Sequence, residues 1–376
     1  MILFFFSVFG FYFILVLLLI SGWQVALEKK REPSGIVDKN YKISVVIPFR
    51  NEYANLSRLM EGLIAQNYAA QNLEVILIDD HSLDQSHALA QSFCSKHSHC
   101  KLLSLPLNQV GKKSALSYGI QQANGEIIVT TDADCFHPTN WLVHINSVFQ
   151  NEKVVMGVGA VKIVSDNFFF SQLQSMELAS LVGSGVATLS FGLPTMCNGA
   201  NLSFRKSAYI TVDGYVGNLA IPSGDDEFLM RKMDNKFPKG IFFIPESEAV
   251  VATHAHKNIL TFIQQRVRWA GKWKFNESSL TKTLAVFIFV FQLSYLILLL
   301  SWSIGWIPSK IGAILLVGKL LVEFLFLYQI CLFLKVQWRW TSFFALQFIY
   351  PVYVLWIAVL AQGKEYIWKG RPNRHQ

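Results

Sequence analysis

The chain has 376 residues, of which 52% are hydrophobic and only 15% charged, a balance too apolar for an ordinary soluble enzyme of this length. Its 33 Lys and Arg outnumber 25 Asp and Glu, for a formal net charge of +8. Nucleic acid is excluded as the reason for that charge: the basic residues gather beside apolar segments, where they meet anionic lipid headgroups, and no nucleic-acid-binding module is recognisable.

From the first residue the chain is a nearly unbroken run of Phe, Leu, Ile and Val to Ile20. At about 1.5 Å of rise per residue such a run spans a hydrocarbon core of roughly 30 Å, so residues 1–22 are expected to form a transmembrane helix. A cleaved signal peptide is the competing reading, yet no basic residue precedes the run and no small-x-small site directly follows it. Lys29, Lys30 and Arg31 come next and, under the positive-inside rule, place the following region in the cytoplasm with the N-terminus outside. Five cysteines without framework spacing suit a reducing compartment. Residues 23–40, with Pro33 and Gly35, have the composition of a linker.

After the linker the pattern changes to alternating strands and helices. Strands are predicted at 43–48, 74–78, 101–105 and 127–131, and helices at 53–66, 83–96 and 112–122. Short connections in a β-α-β-α-β-α-β order predict an α/β domain with a mainly parallel, Rossmann-like sheet, over residues 41–256. Ligands of such sheets bind beyond the C-terminal strand ends, which gathers Pro48, Asp79, Asp80, Asp132 and Asp134 on one rim.

Asp132 and Asp134 form a D-x-D at the end of an apolar strand, where two carboxylates can share one cation. By itself the pattern equally suits a strand cap or turn, and Asp79-Asp80 before Ser82 equally suits turn initiation. Lys112 follows Gly111 at a helix start, where backbone N–H groups already favour an anion; a solvated lysine of a basic pair is the other reading. Asp225-Asp226-Glu227 reads either as a source of a catalytic carboxylate or as a solvated acidic turn. Cys94, His97, His99 and Cys100 resemble a metal cluster only superficially, because the cysteines are too close for standard zinc knuckles.

Residues 257–279 interleave Arg266, Arg268, Lys272 and Lys274 with Phe262, Trp269, Trp273 and Phe275, as a helix at headgroup level would. The stretch from Phe168 to Phe191 either dips into the same interface or forms a core helix. Residues 280–362 hold three apolar stretches, 283–306, 311–334 and 343–361, expected to be further spans. Three crossings would put the basic tail, residues 363–376, outside, so either one stretch is re-entrant or the charge rule fails here. Lys319 and Glu323, four apart, are a neutralising pair that either lines a lipid or sugar path or lies buried between helices.

Seven segments in order resemble the membrane-bound, inverting family-2 glycosyltransferases of GT-A fold: Val45-Val-Ile-Pro-Phe-Arg-Asn-Glu52, Ile78-Asp-Asp-His-Ser-Leu-Asp84, Gly111-Lys-Lys-Ser-Ala-Leu116, Thr131-Asp-Ala-Asp134, Asn198-Gly-Ala-Asn-Leu-Ser-Phe-Arg205, Ser223-Gly-Asp-Asp-Glu-Phe-Leu229 and Gln265-Arg-Val-Arg-Trp269. The resemblance implies a nucleotide-sugar (GT-A) domain flanked by transmembrane helices. It implies Asp134 as ligand of Mg2+ or Mn2+, with Asp132 on the donor ribose or the metal. Asp80 would accept the N–H of a uracil ring, Pro48 would line the same base pocket, Glu52 would lie close to the nucleotide, and Lys112 would bring positive charge to the donor. Asp226 would be the catalytic base. Gln265, Arg268 and Trp269 belong to a Q-x-x-R-W signature that approaches acceptor sugar and diphosphate. Two departures stand out: His81 replaces the usual glycine after the paired aspartates, and His254 and His256 fall where relatives often carry an acid and a proline.

The expected activity is transfer of a sugar from a nucleotide-sugar, a UDP-sugar, to a hydroxyl of a lipid or growing saccharide, by an integral protein of the bacterial plasma membrane with its catalytic domain in the cytoplasm. A catalytically silent nucleotide-sugar-binding subunit or sensor, and a nucleotidyltransferase using the same metal site, are the alternatives.

Overall fold

The computed structural model describes residues 1–28, 39–166, 168–218, 224–275, 278–363, 365–368 and 371–374. The chain opens with α1 (Ile2–Glu28) and continues through β1 (Ile43–Phe49), α2 (Tyr53–Ile64), β2 (Leu73–Asp79), α3 (Ser86–Cys94), β3 (Cys100–Ser104), α4 (Lys112–Gln122) and β4 (Ile127–Thr130). There follow β5 (Cys135–Phe136), α5 (Trp141–Val148), β6 (Met156–Val158), β7 (Val161–Val164), α6 (Phe169–Ser190), β8 (Leu202–Arg205), α7 (Lys206–Thr211) and α8 (Asp225–Lys236). The last third holds β9 (Ile241–Phe243), β10 (Val251–His254), α9 (Ile259–Gly271), α10 (Ser279–Ser303), α11 (Ser309–Leu334), α12 (Trp340–Leu360) and the two short strands β11 (Glu365–Trp368) and β12 (Arg371–Arg374). Two units emerge, one of Val25–Val164 with Thr188–His254, the other of Met1–Gln24, Ser165–Ala187 and Ala255–Gln376.

The first of these units is built on a seven-stranded sheet in the order β3-β2-β1-β4-β8-β6-β9. β1 runs parallel to β2 and β4, and β2 parallel to β3, while β8 is antiparallel to β4 and β6. Every residue of β2 and β4 is buried, because helices cover both faces of the sheet; that is why these strands read as unbroken apolar runs rather than alternating ones. Register puts Phe49 beside Asp79 and Val46 beside Thr130, so β1, β2 and β4 finish together and deliver their following residues to one rim. A second sheet, β5-β10-β7, completes the unit.

At the opposite strand ends, Glu74 is 5% exposed and binds Ser44 Oγ at 2.5 Å, Lys101 Nζ at 2.5 Å, and both the backbone and side-chain N–H of Asn124 at 2.7 and 2.8 Å. Burial pushes the Glu74 carboxyl up, but the Asn124 backbone N–H and then the side-chain partners more than offset it, holding the pKa at about 2.

The other unit holds four helices long and apolar enough to cross a membrane: α1, α10, α11 and α12. Side chains such as Leu300, Leu332 and Val359 stay exposed on them, as lipid-facing residues would. Aromatic rings knit α1 to α10, with Tyr12 stacked on Phe291 at 3.6 Å and Phe9 at 5.1 Å from the same ring. Lys319 is 3% exposed and its ammonium meets Glu323 at 2.9 Å, Gln347 at 2.5 Å and the face of Tyr295 at 4.6 Å, while Tyr12 donates to Glu323. The ammonium is therefore buried against α10, α11 and α12, while the Glu323 carboxylate, bound also by Tyr12 of α1, is part-buried, as a pair set between helices would be.

Several boundaries differ from expectation. α1 continues past residue 22 to Glu28, since residues 23–28 contain no glycine or proline to stop it; the rest of the expected linker, with Lys29, Lys30, Arg31, Pro33 and Gly35, lies outside the described residues. α9 ends at Gly271 and gives way to a single 3₁₀ turn, Lys272–Phe275, in which the side chains of Trp273 and Lys274 are outside the description. The basic tail forms an antiparallel pair, β11 with β12. The stretch from Phe168 is a true helix, α6, whose Gln172 accepts from Ser342 of α12 and whose first residues, Phe168 and Phe169, remain exposed.

Because the folded pKa of Glu74 lies below its ordinary 4.5, its contribution to stability is complete above pH 4.5 and is lost as pH falls toward about 2. A shift of that size is worth roughly 3 kcal/mol. Thermal unfolding in detergent micelles should show wild type losing stability across that window while Glu74→Gln, already weaker at pH 7, loses much less; parallel acid profiles would contradict this.

Candidate active site

The rim formed by the C-terminal ends of β1, β2 and β4 carries the acidic residues that the spacing of the sequence placed there. The D-x-D follows β4 directly, and the N–H of Cys135 closes a turn on the carbonyl of Asp132 at 3.2 Å. Just before it, Thr131 hydrogen-bonds His137 Nε2 at 2.8 Å; burial pushes that imidazole down to about 3, so it is neutral and fixes the turn as a dipole.

Lys112, the first residue of α4, organises the centre. Its ammonium lies 2.7 Å from Asp132 and 3.2 Å from Asp225, the first residue of α8. Burial alone would lower its hold on the proton; the charges of Asp132 and then Asp225 reverse this and push it above the ordinary lysine range. Burial likewise tends to raise the Asp225 carboxyl, but Lys112 outweighs it and the net shift is downward. Asp226 lies beside this pair and its charge also favours the Lys112 ammonium, while its Oδ2 accepts the Gly199 N–H at 3.1 Å and its Oδ1 the Glu227 N–H at 2.8 Å. Asp225 is buried whereas Asp226 is half-buried, so of the two acids Asp226 is the one open to an incoming group.

Gly199 sits at the middle of this group. A Cβ there would lie 3.0 Å from Asp225 Oδ2 and 3.5 Å from Lys112 Nζ, too tight to place without moving the ion pair. Thr130 fixes the same residue by donating to its carbonyl at 2.9 Å.

On the β2 side the two aspartates divide the work. Asp79 is the turn former, accepting from the Ser82 N–H at 2.9 Å and pairing with His87 at 2.9 Å. Asp80 accepts the Gly111 N–H at 3.1 Å, tying the end of β2 to the start of α4. Gly111 has φ +94, a conformation glycine takes freely, and that lets its N–H point back at Asp80. His81, at the position where the motif pattern has glycine, also has positive φ, +56, at a cost of about 1–2 kcal/mol. Arg50 offsets the strain by donating to the carbonyls of Asp80 and His81 at 2.8 and 2.7 Å, and the His81 ring bonds the Gln109 carbonyl at 2.9 Å. These contacts clamp the loop. Pro48 pairs with Ile78 in the sheet, and Glu52 immediately precedes α2, its carboxylate accepting from the side-chain amide of Asn55 at 2.6 Å rather than capping the helix.

Asp132 and Asp134 supply hard carboxylate oxygens, the donor type that Mg2+ and Mn2+ prefer, and such ions complete their shell with water and phosphate oxygens. No group of three or more His, Cys, Asp or Glu able to hold a metal occurs among the described residues, so a cation here depends on two carboxylates and its ligand. The donor set fits a divalent ion that arrives with a diphosphate.

In the other unit, α9 presents Gln265, Arg268 and Trp269 half-buried, and Arg266 buried among them. Arg266 forms an ion pair with Glu177 of α6. The motif reading gave no role to Arg266, Asp225 or Gly199 and did not name Glu177. A signal existed for one: Glu177 is the sole charged residue in the 22 of α6. His256 donates its backbone N–H to Gln174 of α6 at 2.9 Å, and the His254 ring packs on Phe136 at 4.7 Å, so both histidines have structural work at the positions that depart from the motif pattern. Ser223 lies outside the described residues.

The family profile described as Glycosyl transferase family 2 matches residues 44–212. Among curated relatives, the undecaprenyl-phosphate 4-deoxy-4-formamido-L-arabinose transferase of Serratia proteamaculans is 32% identical over 117 residues, 31% of this chain and 36% of that protein. The beta-monoglucosyldiacylglycerol synthase of Nostoc sp. is 31% identical over 122 residues, 32% of this chain and 25% of that protein. The chain thus matches only about a quarter to a third of the length of these relatives. Among solved structures, the mannosyltransferase PcManGT from Pyrobaculum calidifontis, in complex with GDP-Man and Mn2+, superposes with a TM-score of 0.63 at 16% identity over 95% of this chain and 97% of that one. That likeness establishes the GT-A fold.

Replacing Lys112 with Met leaves a buried carboxylate unpaired. We expect a loss of about 2 kcal/mol, less than for a fully buried pair because Lys112 is 23% exposed. Since Asp225 is shifted down and Lys112 up, the deficit should be complete between pH 3.8 and 10.5 and shrink outside that window, with Lys112→Arg recovering most of it. Denaturation midpoints across pH check this; an equal deficit at pH 3 and pH 7 would remove the ion-pair account.

Proposed function

We propose that this chain, whose residues 44–212 are a family-2 glycosyltransferase domain, moves a sugar from a UDP-sugar to a hydroxyl of a membrane lipid or lipid-linked saccharide, inverting the anomeric carbon. The observation that carries the proposal is the convergence of Lys112, Asp132, Asp225 and Asp226 at the sheet rim that the D-x-D turn leaves open. A pure binding subunit has no use for a half-open carboxylate held by two backbone N–H groups beside that cluster.

In the proposed reaction the acceptor hydroxyl attacks the anomeric carbon while Asp226 takes its proton. The bond from that carbon to the diphosphate oxygen breaks, its electron pair leaves with the nucleoside diphosphate, and a single displacement gives inversion. Lys112 places positive charge where negative charge accumulates on the leaving group. Asp134 and Asp132 would hold Mg2+ or Mn2+, which neutralises diphosphate charge when bound. Asp80 and Pro48 would contact the base and Glu52 the nucleotide, while Gln265, Arg268 and Trp269 of α9 would bind acceptor or diphosphate. Four helices able to span a bilayer support an integral membrane protein, and we assign it to the bacterial plasma membrane with this domain cytoplasmic.

The two relatives named above differ in acceptor chemistry: one is named for a polyprenyl phosphate, the other for a diacylglycerol. A phosphate oxygen is already ionised at neutral pH and needs no base, whereas an alcohol does. The geometry around Asp226 favours the alcohol.

Incubating the purified protein with UDP-glucose and diacylglycerol, or undecaprenyl phosphate, in mixed micelles tests this directly. Asp226→Asn should lower transfer to the alcohol by roughly 10²–10⁴-fold. Equal nucleotide release by variant and wild type would remove the base, and release of pyrophosphate would point to nucleotidyl transfer. Chelation should abolish turnover, with Mg2+ or Mn2+ restoring it; full activity in excess chelator would remove the metal from the proposal.

A further inference from the structure

We infer that Glu177 and Arg266 are positioning residues for the Q-x-x-R-W helix: a buried guanidinium–carboxylate fork fixes the rotation of α9 and holds Gln265 and Trp269 in place for the acceptor. The inference rests on the acceptor role proposed above for α9, and all of the residues involved lie within one unit.

Arg266 is 4% exposed and Glu177 6%. Nε of Arg266 donates to Glu177 Oε1 at 2.9 Å and Nη2 donates to Oε2, so the contact is bidentate and directional. Tyr353 of α12 adds a third donor to the carboxylate at 3.2 Å, bringing three helices to one anion. The remaining edge of the guanidinium, Nη1, donates to Gln265 Oε1, the first residue of the signature. It lies over two rings of its own helix, Phe262 at 4.5 Å and Trp269 at 4.3 Å, one turn before and one turn after. The side chain that no motif assigns thus touches both the first and the last residue of the motif. Gln265 has a second tether, since its side chain also bonds the ring of His256, whose pKa is lowered chiefly by burial.

Stability alone does not account for the pair. The surroundings are apolar, with Phe170 packed on Phe262 at 5.5 Å and Tyr353 on Phe262 at 5.6 Å, and a well-packed apolar pair in such a place is often as stable as an ion pair or more so. What a fork supplies and an apolar contact does not is direction: it admits one rotation of α9 about its axis. A lysine would deliver the charge without the plane or the third edge.

The decisive variant is the double substitution Glu177→Leu with Arg266→Met, which keeps the volume and removes the fork without stranding a charge. Its melting temperature should stay near that of wild type, amide exchange over residues 259–271 should speed up at least tenfold, and KM for diacylglycerol in mixed micelles should rise at least tenfold while KM for UDP-glucose stays within twofold. Arg266→Lys, the milder change, should shift acceptor KM in the same sense and serves if the double variant fails to fold. Unchanged exchange in α9, unchanged acceptor KM despite faster exchange, or a donor KM rising in step would each overturn the inference. If wild type itself transfers nothing to any lipid, the acceptor reading of α9 fails separately, and the exchange rates alone decide whether the fork orients the helix.

Discussion

An ammonium taken out of water must be surrounded by anions, and Lys112 satisfies that requirement with carboxylates from two segments far apart in the chain, Asp132 after β4 and Asp225 at the head of α8. Much of the rim follows from this one demand. α8 must begin beside α4; a Cβ at Gly199 would press on Asp225 Oδ2 at 3.0 Å; and Asp226, beside the pair, takes the N–H groups of Gly199 and Glu227. The same ion pair keeps the D-x-D oriented before any cation or diphosphate is bound. On the function proposed above, a ligand bringing two or more negative charges would meet a site whose positive charge is already fixed in place, with less reorganisation to oppose binding.

Elsewhere buried charge is used to a different end. Glu74 locks the N-terminal strand ends opposite the rim, with all of its partners local to that edge. In the other unit, the Lys319–Glu323 pair of α11 reaches Gln347 of α12 and Tyr12 of α1, and Arg266 with Glu177 joins α9 to α6. Between apolar helices, packing alone is nearly indifferent to rotation and sliding, so a single saturated polar pair sets register at small cost in area. Each pair is complete within its own helices, which separates these contacts from the half-open carboxylate of Asp226.

The frame was legible because its signals are local. Apolar runs flanked by Gly, Asp and Pro gave β1, β2, β4 and the boundaries of α4 to the residue, and four long apolar runs gave the four candidate spans. Motif order gave the family and the rim. What sequence spacing could not give was the division of labour within pairs of like residues. Asp79 and Asp80 are adjacent and chemically identical, yet one closes a turn and the other receives the N–H of Gly111; Asp225 and Asp226 differ only in which faces Lys112. Such choices are decided by backbone directions set through long-range packing. At His81 the clamp likewise comes from Arg50, a residue to which the motif assigned no role.

The match to the family profile ends at residue 212, before both Asp226 and α9. On the function proposed above, the matched part holds the strands, the paired aspartates and the D-x-D that would meet a nucleotide diphosphate, and the proposed base and the acceptor helix lie beyond it. Beyond that limit lie the histidines at 254 and 256 and the guanidinium of Arg266, whose partner, Glu177, lies in a helix that carries no other charge. On the acceptor role proposed above for α9, acceptor identity is to be sought in the contacts of α9 with α6 and α12.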